Sequence, residues 1–440
     1  MAWLCLGRLA AAEAEDIATG RLVPVMICRA DAAQTYAVYV PSSYDPTRKW
    51  PILCCFDPGA RGVIPVERFQ AAAEKYGYIV AGSNTSRNGP IAGNLRAMDA
   101  LLRDTSTQWR LDAKRVYAAG FSGGARMACE MGLLGLAKGV VACSGGFPQN
   151  ETPKKVPFPF FGTAGTEDFN YHELRQIDRD LDQRRTPHRV MIFPGGHEWL
   201  PAALAAEAIE WLEIQAMRAG TRPKDETLIQ RSFQARLAAA ESLPLAEAWA
   251  EFKALSENFA GLLDISAVES RVKKLARSQE VHQWIQQDRS LEERRLEMNE
   301  KLLALAEDNE LDRLRATVAN WQKHADAAQD SPDRRLMRRV LQGAAITAGE
   351  NARALLAQDE YRQAITWLQL AIALRPERAQ AWYDLARAEA MAGNKREALA
   401  ALRQAHGAGF KDSVRVEQEA AFKSLRKNAA FLELLETMKK

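Results

Sequence analysis

No apolar run in the 440 residues approaches the ~20 that an α-helical membrane span requires, so the mature chain is expected to be soluble. Nor does one sign of charge dominate. The 59 Lys and Arg stand against 56 Asp and Glu, interleaved rather than gathered in a basic stripe, which argues against a nucleic-acid partner. Cysteine is scarce, six in all, and adjacent Cys54 and Cys55 would face opposite sides of a strand, so the count neither demands nor forbids disulfides. Proline and glycine thin out in the second half: 15 of 18 prolines lie at or before position 223, and 21 of 27 glycines at or before 220. A loop-rich α/β unit followed by an all-helical one accounts for that shift, with the junction at Ala219-Gly220-Thr221-Arg222-Pro223-Lys224.

What the sequence does contain is a serine in an unusual setting. Val116 to Ala119 reads as an apolar strand, Gly120-Phe121-Ser122-Gly123-Gly124 as a sharp turn, and Ala125 to Met131 as a helix of good formers without proline. Strand, glycine turn and helix in that order make a nucleophile elbow. The strand delivers Ser122, the glycines relieve crowding, and the helix start presents free N–H groups to an oxyanion. The competing reading is an ordinary βα turn whose glycines allow close packing.

A serine needs a base to take its proton and an acid to orient the base. Pro159 to Asp168 reads as a buried strand with Glu167 and Asp168 in its exit loop, and His188 to His197 as another whose exit loop carries His197 behind Gly195-Gly196. Among the six histidines, His188 opens its strand at the wrong end, His172 lies in a predicted helix, and His282, His324 and His406 fall in the helical half. His197 is therefore the expected base. Asp168 is preferred as the acid because a short side chain suits a tight loop, with Glu167 as the alternative.

An oxyanion would take one N–H from Gly123 and a second from the loop after an early strand. Trp50 to Phe56 supplies that strand, and Asp57-Pro58-Gly59-Ala60-Arg61-Gly62 the loop, through Gly59 or Ala60; an ordinary βα connection is the other reading. The polar run Ser83 to Pro90 follows a further strand, and its Asn84 and Arg87 are candidate substrate contacts, although such residues more often bond their own backbone.

From about Gln34 to Leu212 the chain resembles an α/β-hydrolase of the polyhydroxybutyrate-depolymerase and feruloyl-esterase type. The resemblance rests on Tyr36-Ala37-Val38-Tyr39-Val40-Pro41, Leu111-Asp112-Ala113-Lys114-Arg115-Val116-Tyr117, Gly120 to Gly124, Gly162 to Asp168 and Gly195-Gly196-His197-Glu198-Trp199. Serine, acid and histidine also follow that fold's chain order. The resemblance implies ester hydrolysis through an acyl-enzyme, on a small-molecule or polymer-linked ester, with no cofactor and no metal. It departs at Asp57 to Gly62, where relatives often carry a His-Gly loop. The dozen residues from Phe147 to Phe160 are too few for a lipase-type lid.

The last hundred residues repeat at a shift of 34: Ala364/Ala398, Ile365/Leu399, Leu368/Leu402 and Ala371/Ala405. That is the tetratricopeptide period, with Tyr361 in the first copy, Pro376 ending its second helix, and Trp382, Leu385, Ala386 and Gly393 in the second; Phe410 stands where proline is expected. A stable stack needs at least three helical pairs, so 226–344 is expected to supply degenerate ones and Ala421 to Met438 a capping helix. The expected organisation is α/β: residues 1–19 a remnant of a signal peptide that favours export, 20–218 an α/β-hydrolase domain, 226–344 helical, and 345–440 tetratricopeptide-like. The repeats would dock a protein partner or roof the active face. A peptidase on the same fold and a non-catalytic assembly protein are the alternative functions.

Overall fold

The computed structural model describes residues 19–439; the signal-peptide reading falls almost wholly outside them. In chain order the elements are β1 (Leu22–Ile27), β2 (Thr35–Tyr39), β3 (Trp50–Phe56), α1 (Val63–Tyr76), β4 (Ile79–Ser83), α2 (Ile91–Gln108), β5 (Leu111–Phe121), α3 (Gly123–Leu133), β6 (Val140–Cys143), β7 (Phe160–Gly165), α4 (Tyr171–Gln183), β8 (His188–Phe193) and α5 (Ala202–Arg218). Eleven helices follow: α6 (Glu226–Glu241), α7 (Leu245–Phe259), α8 (Ser266–Leu275), α9 (Gln279–Glu307), α10 (Leu311–Ala325), α11 (Pro332–Ala357), α12 (Tyr361–Leu374), α13 (Ala379–Met391), α14 (Lys395–Gly407), α15 (Ser413–Gln418) and α16 (Ala429–Lys439).

The strands form one sheet in the order β1-β2-β4-β3-β5-β6-β7-β8. The β1–β2 and β2–β4 pairs are antiparallel, and β4–β3, β3–β5, β5–β6 and β6–β7 are parallel. This is a mostly parallel eight-stranded α/β sheet, and the expected helical region follows it. A parallel sheet covered on both faces needs strands apolar on both sides, which is why all of Trp-Pro-Ile-Leu-Cys-Cys-Phe in β3 is buried. The pleat sends Cys54 into one core cluster and Cys55 into the other. The five described cysteines, Cys28, Cys54, Cys55, Cys129 and Cys143, are all buried free thiols.

Contacts divide the chain differently from the expected junction. One compact unit runs through residue 164 and adds 173–193 and 198–276; the other consists of 165–172, 194–197 and 277 onward. Residues 226–276 belong with the sheet because Leu228, Ile229, Phe233, Phe252, Leu255 and Phe259 share one buried cluster with Ile214 and Met217 of α5. The Gly/Pro stretch at 219–224 is a turn between packed helices, and the Asp225 side chain caps α6 by accepting from the Leu228 N–H at 2.9 Å.

Within the second unit, α9–α10, α11–α12 and α13–α14 are joined by turns of one geometry. Each has a left-handed residue, Asn309 (φ 57), Asp359 (φ 60) and Gly393 (φ 90). Each also has the six-to-one hydrogen bond of a Schellman ending: Glu310 N–H to Leu305 O at 2.9 Å, Glu360 to Leu355 at 2.9 Å and Asn394 to Glu389 at 2.8 Å. The second helices bury corresponding residues, Leu314/Val318/Trp321, Ala364/Leu368/Ala371 and Ala398/Leu402/Ala405.

Candidate active site

Ser122 sits between β5 and α3 with φ 53 and ψ −120, a conformation that costs a non-glycine residue about 1–3 kcal/mol. The surrounding sequence makes it possible. A Cβ on Gly120 would run into the carbonyl oxygen of Gly124, and a Cβ on Gly124 into that of Phe56. The backbone is held from both sides, because Ser122 N–H donates to Cys143 O at 2.9 Å and Ser122 O accepts from Ala125 N–H at 2.9 Å. Gly123 is the first residue of α3, where helix geometry gives the N–H no intrahelical acceptor. The exposed Asn88 brings its Oδ1 against the side of Gly123 where a Cβ would project, a contact the sequence did not announce.

The expected oxyanion loop is built around Asp57, whose carboxylate is fully buried. It accepts from Gly59 N–H at 2.8 Å, from Arg61 Nε at 2.8 Å and from Trp199 Nε1 at 2.8 Å. Ala60 N–H donates to Asp57 O at 3.1 Å. Both expected second donors are thus engaged inside their own loop, Gly59 by the Asp57 carboxylate and Ala60 by the Asp57 backbone carbonyl. Asn84 is likewise occupied structurally: its Oδ1 accepts from Gly62 N–H at 3.1 Å and its Nδ2 donates to Pro24 O at 3.0 Å. Arg87 is exposed, with its own N–H on Asn94 Oδ1 at 2.9 Å.

The link from β6 to β7 is a loop with one short 3-10 turn, Pro148–Asn150. Arg126 of α3 ties it down by donating to Asn150 Oδ1 and, at 3.1 Å, to Glu173 Oε2, while Glu173 Oε1 accepts from Gly146 N–H at 2.9 Å.

In the second unit the structure brings Asp168 and His197 together. Asp168, fully buried, places Oδ1 at 2.9 Å from His197 Nδ1 and accepts from Asn170 N–H at 2.8 Å with the same oxygen. A carboxylate can only accept, so this contact selects the imidazole tautomer that donates from Nδ1. The two loops meet where Gly165 has no side chain, since a Cβ there would strike the carbonyl oxygens of Gly195 and Gly196. Glu167 N–H also donates to Gly195 O at 2.9 Å. The Phe169 ring lies on the imidazole of His197, centroids 4.1 Å apart at 32°. The Glu167 carboxylate is taken up elsewhere, by Arg338 Nη1 at 2.7 and 2.9 Å. His188 opens β8 with Nδ1 on Thr186 O at 2.8 Å, and His172 Nδ1 meets Glu292.

Among the described residues one grouping, Asp182, His188 and Glu257, could offer metal-ligand atoms. Its cation position is taken, because Lys253 Nζ pairs with Asp182 and His188 Nε2 stands 3.3 Å from Asp178 Oδ1. Also among the described residues, no helix is long and apolar enough to cross a membrane.

No family model matches the sequence, and no curated protein matches it. Solved structures do. The S-formylglutathione hydrolase FrmB of Staphylococcus aureus is 15% identical with a TM-score of 0.33, covering 41% of this chain and 90% of its own. A ferulic acid esterase is 15% identical with a TM-score of 0.36, covering 44% and 97%. Est1E of Butyrivibrio proteoclasticus is 12% identical with a TM-score of 0.36, covering 44% and 100%. Each likeness spans less than half of this chain.

Proposed function

We propose that the chain is a serine hydrolase that cleaves carboxylic esters through an acyl-enzyme, with Ser122 as nucleophile, His197 as base and Asp168 as the orienting acid. The observation that carries this reading is the backbone of Ser122, held at φ 53 and ψ −120 on a strand-to-helix turn whose glycines have no room for a Cβ. Strain of that kind persists only where the surrounding structure over-determines it, and such sites cluster at active centres. The 2.9 Å contact between Asp168 Oδ1 and His197 Nδ1 supports the acid and base assignments.

Ser122 Oγ adds to the ester carbonyl as its proton passes to His197 Nε2, and the carbonyl π pair moves to oxygen. The tetrahedral intermediate collapses with loss of the alcohol oxygen, which takes the proton from Nε2. Water, deprotonated by the same nitrogen, then releases the acid and restores Ser122. Gly123 N–H is the first oxyanion donor. A second from Gly59 requires that N–H to turn from Asp57 Oδ1 or to share its proton, so the hole is weaker than a two-donor hole by up to the 10²–10³ that one donor contributes. The same engagement favours the second reading, a binding protein with a decayed centre that uses its helical hairpins, in the tetratricopeptide manner, to hold a partner.

Labelling by a fluorophosphonate probe separates the two. Wild type should label at Ser122 and lose labelling in Ser122→Ala with the fold intact by circular dichroism. A folded wild type that fails to label sinks the enzyme reading. A panel of aryl and feruloyl esters beside matched amides then tests ester against peptide specificity.

A further inference from the structure

The loop that carries Asp168 is held by helices far along the chain. Glu167 receives Arg338 Nη1 on both carboxylate oxygens and Arg334 Nη1 at 3.4 Å. Tyr171 lies under the Arg339 guanidinium, 4.2 Å from its ring centroid. A Cβ on Gly343 would stand 3.2 Å from Phe169 Cβ. Arg334, Arg338, Arg339 and Gly343 all belong to α11, in two adjacent i, i+4 rows of one face. From α9, Glu292 meets His172 Nδ1 and is itself held by Arg295 at 2.7 Å.

Arg338 is fixed at a second point, because its Nε donates to Ala325 O at 2.7 Å, the last residue of α10. A cation there also satisfies a terminal carbonyl of that helix. The guanidinium therefore bridges the end of α10 to Glu167, one residue before the acid and two before the ring stacked on His197.

We infer that Arg338, acting through Glu167, is a positioning residue for the Asp168–His197 pair, and that the helical region is the support on which acid and base are set. The inference rests on the serine-hydrolase reading. A triad tolerates little displacement, whereas a loop left to itself is among the more mobile parts of a fold. Both partners are partly exposed, Arg338 by 33% and Glu167 by 26%, so the pair adds little to global stability and its effect falls on turnover.

The test uses the full chain and an ester that wild type hydrolyses, such as p-nitrophenyl acetate, with kcat, KM, melting temperature and fluorophosphonate labelling rate measured together. Arg338→Ala and Glu167→Gln should each lower kcat and labelling about tenfold, with KM within twofold and nearly unchanged melting. Arg338→Lys should recover part of the loss, and the double variant should be no worse than the poorer single, since both remove one contact. Wild-type kcat in both singles, or losses that multiply in the double, overturns the inference. So does a loss in Arg338→Ala matched by falling stability and not relieved in Arg338→Lys. If Arg338→Ala does not fold, Glu167→Gln carries the test, because it leaves α11 untouched. A wild type that neither labels nor turns over any ester removes the hydrolase reading itself, an outcome distinct from active wild type with indifferent variants.

Discussion

Asp168 Oδ1 meets His197 Nδ1 at 2.9 Å, while Glu167, its neighbour in the chain, directs its carboxylate to Arg338. Two adjacent acids are thereby given different partners. In the proposed triad only the first can hold the imidazole tautomer and stabilise imidazolium. Asp168→Asn keeps the shape and removes the charge, and is expected to lower kcat by about four orders of magnitude with little change in melting temperature. Steady-state kinetics beside Glu167→Gln, expected to lose only about tenfold, checks it. Equal activity of Asp168→Asn and wild type would take Asp168 out of the triad.

The elbow glycines should differ in cost. A methyl at Gly120 or Gly124 meets backbone oxygen that cannot give way, and each alanine substitution should destabilise by about 1–3 kcal/mol or more. At Gly123 the obstacle is the exposed Asn88 side chain, which can rotate away, so Gly123→Ala should lose less. Denaturant midpoints for the three variants give the order directly, and a Gly123→Ala as damaging as the others would show that the Asn88 contact is rigid.

Acid should loosen the support of the acid loop. Burial opposes ionisation of Glu292, but hydrogen bonds from His172 and Arg295 prevail and bring its carboxyl down from 4.5 to about 2. A carboxyl lowered on folding stabilises the native state fully above its unfolded value and loses that contribution as pH falls from about 4.5 toward 2. Glu292→Gln should flatten that limb, by about 1–2 kcal/mol after allowance for solvent screening. Unfolding curves at pH 6 and pH 3 read the difference. An equal acid loss in wild type and variant would mean that the pair contributes nothing.

Cleavage at Lys224 should not release a domain. The halves of the cut chain stay joined through Ile214, Met217, Phe233, Phe252 and Phe259, one buried cluster on both sides of the nick. Limited trypsin digestion followed by gel filtration should give co-eluting fragments. Separation of the pieces would restore the junction at 219–224 as a true linker.

The strands and the order of Ser122, Asp168 and His197 along the chain were legible because apolar runs and glycine turns are local signals. Three things were not. The engagement of Gly59 depends on where the Asp57 carboxylate folds, a matter of tertiary contact with Trp199, and that of Ala60 on the local turn back to the Asp57 carbonyl. The reach of the sheet unit to residue 276 was hidden because α6–α8 have the same helical periodicity as the helices beyond them. The third hairpin escaped a comparison at 34 residues because its left-handed turn lies at 309, and 359 − 309 = 50, whereas 393 − 359 = 34. The long α11, residues Pro332–Ala357, takes up the extra length, and it is the same helix that supplies Arg334, Arg338 and Arg339.

If Ser122, Asp168 and His197 act together as proposed, the grouping of 165–172 and 194–197 with 277 onward means that no smaller catalyst can be cut out by ending the chain early. A fragment ending after α8 would keep the strained serine and every glycine around it, yet lose Glu292, Arg334, Arg338 and Arg339 from beneath the acid loop. Natural variation in α11, some 170 residues downstream of Asp168, would then register as altered turnover rather than altered binding.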